Sequence, residues 1–290
     1  MNQLIEKLIA SGTVVTDGSW GTQMQRRGLA RGECPDSWNL NHPERVEEVA
    51  SLYVSAGSMV ILTNTFGANR FVLGKLGLAE KVKEINAKGV EISKRAAKNS
   101  AAVFASMGPS GKMLAMKDVT EAELREAFEE QASAIAKAGA DGIVVETMMD
   151  LEEAKIASLA AKATGLPVVA SMVFDSGKNM DRTMMGITPE QAVESLAAIG
   201  VDAIGSNCGQ GIEAFIPICA RMRAVTRLPL WMKPNAGIPE VIDGEIVYKT
   251  TADEFGRFIP DLIKAGASFI GGCCGTDEGY VRAIVKSVSR

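Results

Sequence analysis

The chain alternates short runs of β-branched and other apolar residues with longer stretches whose apolar positions recur every three or four residues. The short runs predict eight strands: Thr13–Thr16, Met59–Leu62, Val103–Ser106, Gly142–Val145, Val168–Met172, Ala203–Ser206, Leu230–Lys233 and Ser268–Gly271. The longer stretches predict eight helices: Pro43–Ala56, Glu80–Lys98, Glu121–Ala138, Leu151–Ala163, Pro189–Ala198, Ile212–Val225, Ala252–Lys264 and Glu278–Ser287. Several strands are apolar throughout, which is typical of a parallel sheet covered on both faces.

The strict alternation of strands and helices predicts an α/β fold, a single (β/α)₈ TIM barrel. We expect this barrel to form one domain over residues 1–290, because no linker or low-complexity segment interrupts the pattern. An open doubly wound sheet is the structural alternative, since a sequence pattern does not show whether a sheet closes. The dinucleotide-binding fingerprint of that fold, Gly-x-Gly-x-x-Gly after the first strand, is missing here.

The amino-acid composition limits which partners the protein can have and in which cellular compartment it is expected. With 47% hydrophobic and 23% charged residues, the 290-residue chain can bury a large core. A net charge of −4 gives no basic surface for nucleic acid, and the apolar runs fall far short of the ~20 residues that span a bilayer. Five cysteines are too few, and odd in number, for a secreted disulfide framework. We therefore expect a cytoplasmic protein without nucleic-acid or membrane partners.

The cysteines divide into two groups by their place in the predicted barrel. Cys208, Cys273 and Cys274 follow the sixth and eighth strands, whereas Cys34 lies in a loop and Cys219 inside a helix. Functional side chains of such barrels gather at the carboxyl ends of the strands, and alternate strands contribute to the same interior layer. The first three cysteines are therefore expected to meet at the mouth of the barrel, and the other two receive no role.

Three converging thiolates indicate a zinc site. Zn²⁺ prefers tetrahedral sulfur and nitrogen ligands, and three protein ligands leave the fourth position open, as in catalytic sites. Adjacent strand residues point to opposite faces, so the backbone has to turn at Cys273 and Cys274, and the flanking Gly272 and Gly275 permit this. The alternatives are that these cysteines are small buried hydrophobic residues, or that Cys273 and Cys274 form a vicinal disulfide.

The ligand set also indicates the reaction class. Zinc with three thiolates carries a formal charge of −1, so it activates water poorly but binds a substrate thiol well as a fourth thiolate. A thiolate held in this way is a nucleophile that needs no protein base, which agrees with a chain whose one histidine, His42, lies outside these loops. We expect alkyl transfer to a thiol, most simply of methyl, and disfavour zinc hydrolysis, which uses histidine or carboxylate ligands.

Polar residues at other strand ends predict how a thiol-bearing amino acid binds. Asp17 and Glu146 follow the first and fourth strands, where their carboxylates would hold an ammonium group. The alternatives are a turn residue before Gly18 for Asp17 and a surface ion pair for Glu146. Neutral hydrogen bonds to the substrate are expected from side chains after the second and sixth strands: Thr63, Asn64, Thr65 and Asn207.

Several motifs resemble those of the homocysteine S-methyltransferase family. They are Asp17-Gly18-Ser19-Trp20-Gly21-Thr22, Thr63-Asn64-Thr65-Phe66, Glu146-Thr147, Asn207-Cys208, Pro234-Asn235-Ala236-Gly237 and Gly271-Gly272-Cys273-Cys274-Gly275-Thr276. The likeness extends from about Thr13 to Arg290, and within the family it is greatest to the homocysteine-binding barrel of cobalamin-dependent methionine synthases. It implies a (β/α)₈ barrel with Zn²⁺ on Cys208, Cys273 and Cys274. It also implies that the acceptor is homocysteine, that the product is methionine, and that Asp17 and Glu146 hold the amino group.

The methyl donor does not follow from these motifs. In the multidomain synthases, folate-binding and cobalamin-binding modules continue on the same chain, whereas this sequence ends at Arg290. We therefore expect a corrinoid only on a separate partner protein, or else a small onium donor such as S-methylmethionine or betaine. Aromatic and sulfur side chains near strand ends would line the approach of a cationic donor, unless they only fill the core. These are Trp20, Met148, Met149, Met184 and Met185.

Two other functions remain open at this point. The chain would be a methyltransferase component of a multi-protein corrinoid system if it acts on another thiol or demethylates a methylated substrate. It would be a zinc-binding regulatory or assembly protein if the barrel has lost catalysis.

Overall fold

The computed structural model describes residues 2–242 and 245–289, and leaves Met1, Asp243, Gly244 and Arg290 of the predicted domain range outside. The strands are β1 Val14–Val15, β2 Val60–Ile61, β3 Ala102–Met107, β4 Gly142–Met148, β5 Val168–Met172, β6 Ala203–Gly211, β7 Leu230–Asn235, β8 Glu240–Ile242, β9 Glu245–Val247 and β10 Ala267–Ile270. The α-helices are α1 Gln3–Ile9, α2 Trp20–Arg26, α3 Trp38–Asn41, α4 Pro43–Ser55, α5 Arg70–Gly74, α6 Val82–Ala97, α7 Glu121–Lys137, α8 Leu151–Lys162, α9 Pro189–Ala198, α10 Ile212–Val225, α11 Ala252–Arg257, α12 Ile259–Lys264 and α13 Glu278–Val288. The helices of these ranges include none with the length and apolar character of a membrane-spanning segment.

Eight parallel strands of the described ranges form a closed barrel. Their order is β1-β10-β7-β6-β5-β4-β3-β2, so the first and the second strand along the chain stand at the two ends of the sheet. A parallel bridge between Thr16 and Val60, together with a 2.8 Å hydrogen bond from the Met59 amide to the Val15 carbonyl, joins these two ends. The predicted TIM barrel is confirmed, and the open doubly wound sheet is wrong.

The observed elements differ from the predicted ones at one helix and at several short elements. The short helices α1, α2, α3 and α5 were not predicted. The predicted helix Ala252–Lys264 is wrong as one helix: α11 and α12 are separate, and Pro260 stands in the first turn of α12. Proline has no amide hydrogen and clashes with the preceding turn, so it begins a helix more readily than it continues one. The antiparallel pair of β8 and β9, which we call the hairpin, follows β7 and was not predicted.

The barrel interior is filled by apolar side chains from all eight strands of the barrel. Phe104 stacks on Trp231 with ring centroids 6.3 Å apart, and Trp231 contacts Phe269 at 5.2 Å. The fully buried Ile5 of α1 belongs to the same cluster, so α1 covers this interior. The remaining buried members are Leu62, directly after β2, and the strand residues Val14, Val60, Val144, Val169 and Ala203.

A polar layer lies directly above this apolar layer. Side chains alternate between the two faces of a strand, so residues two or four positions further along face the same interior. In β3, β4, β5, β6 and β7 these positions are polar and buried: Ser106, Glu146, Ser171, Asn207 and Lys233. The change from apolar to polar along the strands therefore places the functional chemistry at their carboxyl ends.

Candidate metal centre and active site

Three cysteines converge at the carboxyl ends of β6 and β10. The Sγ atoms of Cys208, Cys273 and Cys274 all lie within 4.8 Å of one another, and those of Cys208 and Cys274 are 3.8 Å apart. Two sulfurs that each lie ~2.3 Å from a tetrahedral zinc ion are separated by about 3.8 Å, so this spacing fits the ion. All five cysteines are free thiols, with no vicinal disulfide, and Cys34 and Cys219 lie outside the cluster.

The backbone turns sharply to bring the three sulfurs together. β10 ends at Ile270, so Cys273 and Cys274 stand in a turn, as expected from their flanking glycines. Gly275 has a φ of 80°, and a Cβ on Gly272 would lie 2.3 Å from Thr276 Oγ1, so both positions require glycine. Cys208 itself has a φ of 63°, which a residue with a side chain rarely adopts and which functional sites often contain.

The loop after β1 holds this turn from the other side. The Thr276 hydroxyl donates to the carbonyl of Cys273 at 2.7 Å and accepts the amide of Ser19 at 3.2 Å. The amide of Gly275 donates to Thr22 Oγ1 at 3.1 Å. These bonds show that Ser19 and Thr22, which belong to the motif that begins at Asp17, help to position the cysteine turn.

The thiols of the cluster are neutral unless a cation displaces their protons. A hydrogen bond with Cys273 lowers the pKa of Cys208, but the hydrogen bond with Cys274 and burial outweigh it and raise the pKa to about 11. For Cys274 the bond with Cys208 lowers the pKa, while Cys273 and burial raise it to about 12. The pKa of Cys273 is raised further, with its hydrogen bond to Cys208 as the largest cause. A soft divalent cation would release these protons and take the thiolates as ligands.

Tyr248 covers the cysteine turn from the segment after the hairpin. A Cβ on Gly275 would fall 2.3 Å from Cγ of Tyr248, which shows how closely the ring lies on that backbone. Burial, followed by the charge of Cys274, raises the pKa of the Tyr248 phenol. Sequence reasoning missed this residue because it did not predict the hairpin that delivers it.

Asp17 is fully buried, and both of its oxygens accept hydrogen bonds from the protein. Oδ1 accepts from the ammonium group of Lys233 at 2.5 Å. Oδ2 accepts from the indole of Trp20 and from the amide of Leu62, each at 2.7 Å. A carboxylate has about four acceptor positions, so one remains for a ligand.

Glu146 accepts fewer hydrogen bonds from the protein than Asp17 does. Its Oε1 accepts from the hydroxyl of Ser106 at 2.5 Å, and its Oε2 has no hydrogen-bond partner among the described residues. Burial raises the pKa of Glu146, although Lys233 and the bond from Ser106 act in the opposite direction. A surface ion pair, the alternative considered for this residue, is excluded because Glu146 is only 8% exposed.

Lys233 is the main functional candidate that sequence reasoning missed. Its side chain is 3% exposed, and its position in β7 places it in the polar layer of the barrel interior. Lysine is almost never fully buried without a partner, so a lysine directly after the apolar run Leu230-Trp231-Met232 was an available signal.

The predicted residues of the loop after β2 are bonded mainly to one another and to neighbouring loops. The Thr65 hydroxyl donates to the Ser106 carbonyl at 2.7 Å, and Thr63 Oγ1 accepts the Ser106 amide at 3.2 Å. The Asn64 amide donates to the carbonyl of Pro35 at 2.7 Å. These bonds fix Ser106 and, through it, Glu146, and direct contact with a substrate stays a prediction.

Asn207 connects the Glu146 segment to the cysteines. Its Oδ1 accepts from the amide of Thr147 at 2.8 Å and from the hydroxyl of Ser171 at 2.7 Å. Its Nδ2 donates to Thr147 Oγ1 at 2.7 Å and lies 3.8 Å from Cys273 Sγ. Thr147 has a φ of 61°, a strained conformation for a β-branched residue. Asn207 therefore stabilises that strained turn, and its contact with a substrate also stays a prediction.

The residues expected along a donor path divide between core and surface. Met148 is fully buried, so the core interpretation holds for it. Met149, Met184 and Met185 are exposed in the loops after β4 and β5. The Trp20 indole is bonded to Asp17.

Asp36 anchors the loop after β2 and predicts a dependence of stability on pH. Its carboxylate is 4% exposed and accepts the amide of Gly67 at 3.0 Å. Burial raises the pKa of Asp36 from 3.8 to about 6. A raised folded-state pKa means that the folded chain binds the proton more tightly, so this stabilisation is complete below pH ~4 and is lost as the pH rises through about 6.

Replacing Asp36 by asparagine should remove this dependence, because asparagine does not ionise. A rise of about two pKa units corresponds to ~3 kcal/mol, so between pH 4 and pH 7 the variant should gain up to about that much stability relative to the wild type. Urea unfolding at pH 4, 5.5 and 7 measures the difference, with the exposed Asp253→Asn as the matched control. A difference that stays constant over this range would contradict the expectation.

Comparison with known proteins gives one consistent family. A profile of the homocysteine S-methyltransferase family matches residues 14–288. The methionine synthases of Mycobacterium tuberculosis and Mycobacterium leprae are each 29% identical to the chain, over 301 and 306 residues. These matches cover 97% and 99% of the chain but 25% of each relative, so the chain spans about a quarter of the length of these curated relatives.

Solved structures agree on the fold. The metallated form of the homocysteine methyltransferase MmuM from Escherichia coli is 23% identical with a TM-score of 0.78, over 94% of this chain and 95% of that chain. Its oxidized form has a TM-score of 0.81 at 23% identity, over 97% and 99% of the two chains. The structural likeness supports the barrel, and the family profile covers nearly the whole sequence. The chain thus belongs to the homocysteine S-methyltransferase family, a family of methyltransferase enzymes.

Proposed function

We propose that the protein transfers a methyl group to the thiol of homocysteine, giving methionine, and that Zn²⁺ on Cys208, Cys273 and Cys274 activates the thiol. The observation that carries this proposal is the cluster of three cysteine sulfurs, spaced for a tetrahedral ion, beside the buried carboxylate of Glu146. Family membership supports the same reaction. The names of the relatives support methionine as the product, although they describe proteins about four times as long.

The three cysteine ligands determine which chemistry the metal would contribute. When bound, zinc would lower the pKa of the acceptor thiol and hold its sulfur as a thiolate at neutral pH. The three cysteines supply soft, negatively charged ligands, and the turn at Cys273 and Cys274 keeps them in place through Thr276. Histidine and carboxylate ligands, which suit hydrolytic zinc sites, are absent from this cluster of the described chain.

The carboxylates would orient the amino-acid part of the acceptor. Glu146 offers Oε2 to the acceptor ammonium group, and Asp17 adds a second negative charge with one remaining acceptor position. Thr63 and Thr65 hold Ser106, which in turn holds Oε1 of Glu146, so the free oxygen has a fixed direction. A zinc ion held there would lower the pKa of the acceptor thiol enough for its proton to pass to water, so the reaction would need no general base from the protein.

We propose that the methyl group comes from another molecule and that the described residues do not carry it. A methylated corrinoid on a partner protein and a small onium compound are both compatible with a mouth whose neighbouring loops expose Met149, Met184 and Met185. Exposed apolar side chains of this kind suit contact either with another protein or with the methyl groups of an onium ion.

A donor screen with homocysteine tests the proposal directly. Zinc-loaded protein should form methionine from at least one of methylcobalamin, S-methylmethionine and betaine, read by mass spectrometry, and the chelator-stripped protein should form none. Methylation of a different thiol, or demethylation of a methylated substrate, with no methionine formed would instead support a component of a multi-protein corrinoid system. A full zinc complement with no thiol bound would favour a regulatory or assembly protein.

A further inference from the structure

Lys233 and Glu146 are neighbouring opposite charges that do not bond to each other. Among the described residues, Lys233 forms its ion pair with Asp17 and none within 4.0 Å with Glu146. The charge of Glu146 nevertheless affects the pKa of Lys233. Burial alone would lower the pKa of Lys233, but the charges of Asp17 and Glu146 and the hydrogen bond to Asp17 raise it above its ordinary value. The geometry agrees, because Asn207 stands opposite Lys233 in the register of β6 and β7 and accepts the amide of Thr147, the residue after Glu146. Lys233 is therefore a buried cation with a carboxylate near it but not in an ion pair with it.

The Lys233 ammonium group and the Glu146 carboxylate both have hydrogen-bonding positions that the described residues leave unused. The Lys233 ammonium has three N–H donors, and one of them bonds to Asp17, with no other hydrogen-bond acceptor in the described part of the chain. Glu146 retains Oε2 in the same way. Leaving donors and acceptors of buried charged groups unpaired is costly, so such groups indicate a ligand that completes them.

The pair also lies next to the cysteine turn. Lys233 stands opposite Asn207 in the register of β6 and β7, and the Asn207 amide lies 3.8 Å from Cys273 Sγ. The amide of Cys273 donates to the carbonyl of Pro234, the residue after Lys233, at 2.8 Å. A ligand whose sulfur reaches the cysteines would therefore extend its other end toward Lys233 and Glu146.

We propose that Lys233 is a specificity-determining residue that binds the carboxylate of the acceptor, while Glu146 binds its ammonium group. The proposal rests on the proposed function, in which the acceptor is a thiol-bearing amino acid. The head of such a molecule carries one positive and one negative group on the same carbon, and it complements a carboxylate and an ammonium group that are close but unpaired. Lys233 would then bridge Asp17 and the acceptor, and thiols that lack a carboxylate would bind weakly.

Three thiols that differ by one charged group test this assignment. They are homocysteine, 3-aminopropane-1-thiol, which lacks the carboxylate, and 4-mercaptobutanoic acid, which lacks the ammonium group. Their binding to the zinc-loaded wild type, Lys233→Met and Glu146→Gln is measured by isothermal titration calorimetry. Removing either charged group should weaken binding to the wild type on the order of 10- to 100-fold, because a buried charged partner is left unpaired.

The two variants should distinguish binding of the acceptor carboxylate from binding of its ammonium group. Lys233→Met should weaken homocysteine and 4-mercaptobutanoic acid by a similar factor, and change 3-aminopropane-1-thiol by less than about threefold. Glu146→Gln should show the opposite pattern. Lys249→Met is the matched control, because Lys249 forms an exposed ion pair with Glu240 on the hairpin, and it should bind all three thiols as the wild type does.

Two results would overturn the proposal. One is equal weakening of all three thiols in Lys233→Met, which would reduce Lys233 to a structural partner of Asp17. The other needs no variant, and so decides the matter even if Lys233→Met does not fold: wild-type affinities for homocysteine and 3-aminopropane-1-thiol that agree within threefold. A zinc-loaded wild type that binds none of the thiols would overturn the proposed function itself, and this assignment with it.

Discussion

Serine in place of Cys273 should abolish metal binding and methyl transfer together. The substitution removes one of three sulfur ligands from a cluster whose Sγ atoms lie within 4.8 Å of one another, and a hydroxyl group does not replace a thiolate on zinc. Loss of even an outer partner of a metal site costs ~10- to 100-fold in affinity or activity, so loss of a ligand should cost at least that much. Zinc per chain, measured by plasma mass spectrometry after dialysis, should fall from about one to near zero, and methionine formation should fall with it.

A second cysteine provides the control for this experiment. Cys219 is fully buried in α10, away from the cluster, and Cys219→Ala should keep its zinc and its activity while losing some stability. A Cys273→Ser protein that retained one zinc per chain, or a metal-free wild type with full activity, would contradict both the metal site and the proposed mechanism.

Asparagine in place of Asp17 should destabilise the folded chain by about 3–5 kcal/mol, because it removes the one counter-charge that is hydrogen-bonded to the buried ammonium group of Lys233 among the described residues. Lys233 and Asp17 are 3% and 0% exposed, so water does not screen the loss. Asparagine also keeps one acceptor oxygen where the carboxylate of Asp17 accepts from Lys233, Trp20 and the amide of Leu62. Urea or guanidinium unfolding at pH 7 measures the change in free energy of unfolding.

Removing the second charge should reverse much of this effect. A buried ion pair replaced as a whole by groups of similar size is often close to neutral, so Asp17→Asn with Lys233→Met should be clearly more stable than Asp17→Asn alone. The exposed pair of Lys81 and Glu84 gives the matched comparison, and Glu84→Gln should change stability by less than about 1 kcal/mol. An Asp17→Asn loss as small as that would contradict the expectation and show that the charge of Glu146 alone compensates the buried ammonium group of Lys233.

The barrel and its metal ligands could be predicted because both follow from short-range patterns. Each apolar run of four or five residues marks a strand even where the structure assigns two, as in Val14–Val15 and Val60–Ile61. A cysteine at such a strand end reaches the barrel mouth whatever the details of the loops. The sequence alone therefore predicted that Cys208, Cys273 and Cys274 lie close together. The split of the predicted helix Ala252–Lys264 at Phe258 could also have been inferred from Pro260.

The polar network of the mouth could not be predicted, because it depends on contacts between distant segments. Asp17 meets Leu62 and Lys233, which are 45 and 216 positions away along the chain. Whether Lys233 faces the interior or the solvent depends on the register of β7, which an apolar run alone does not define. The hairpin was overlooked although β-branched residues flank an Asp-Gly pair in this segment, a common hairpin signal, and Tyr248 was overlooked with it.

The closure of the barrel has a consequence for how this protein can diverge. Between β1 and β2 the ladder is reduced to a bridge from Thr16 to Val60, and the Asp17 carboxylate supplements it by accepting the amide of Leu62. Glu146 bonds to Ser106 across β3 and β4, which a continuous ladder already joins. A change at position 146 would therefore alter the charge of the mouth and leave the barrel closed, whereas a change at position 17 would affect both. Folding alone should therefore tolerate a change at Glu146 better than one at Asp17, so the acceptor specificity of the mouth can change at position 146 without loss of the barrel.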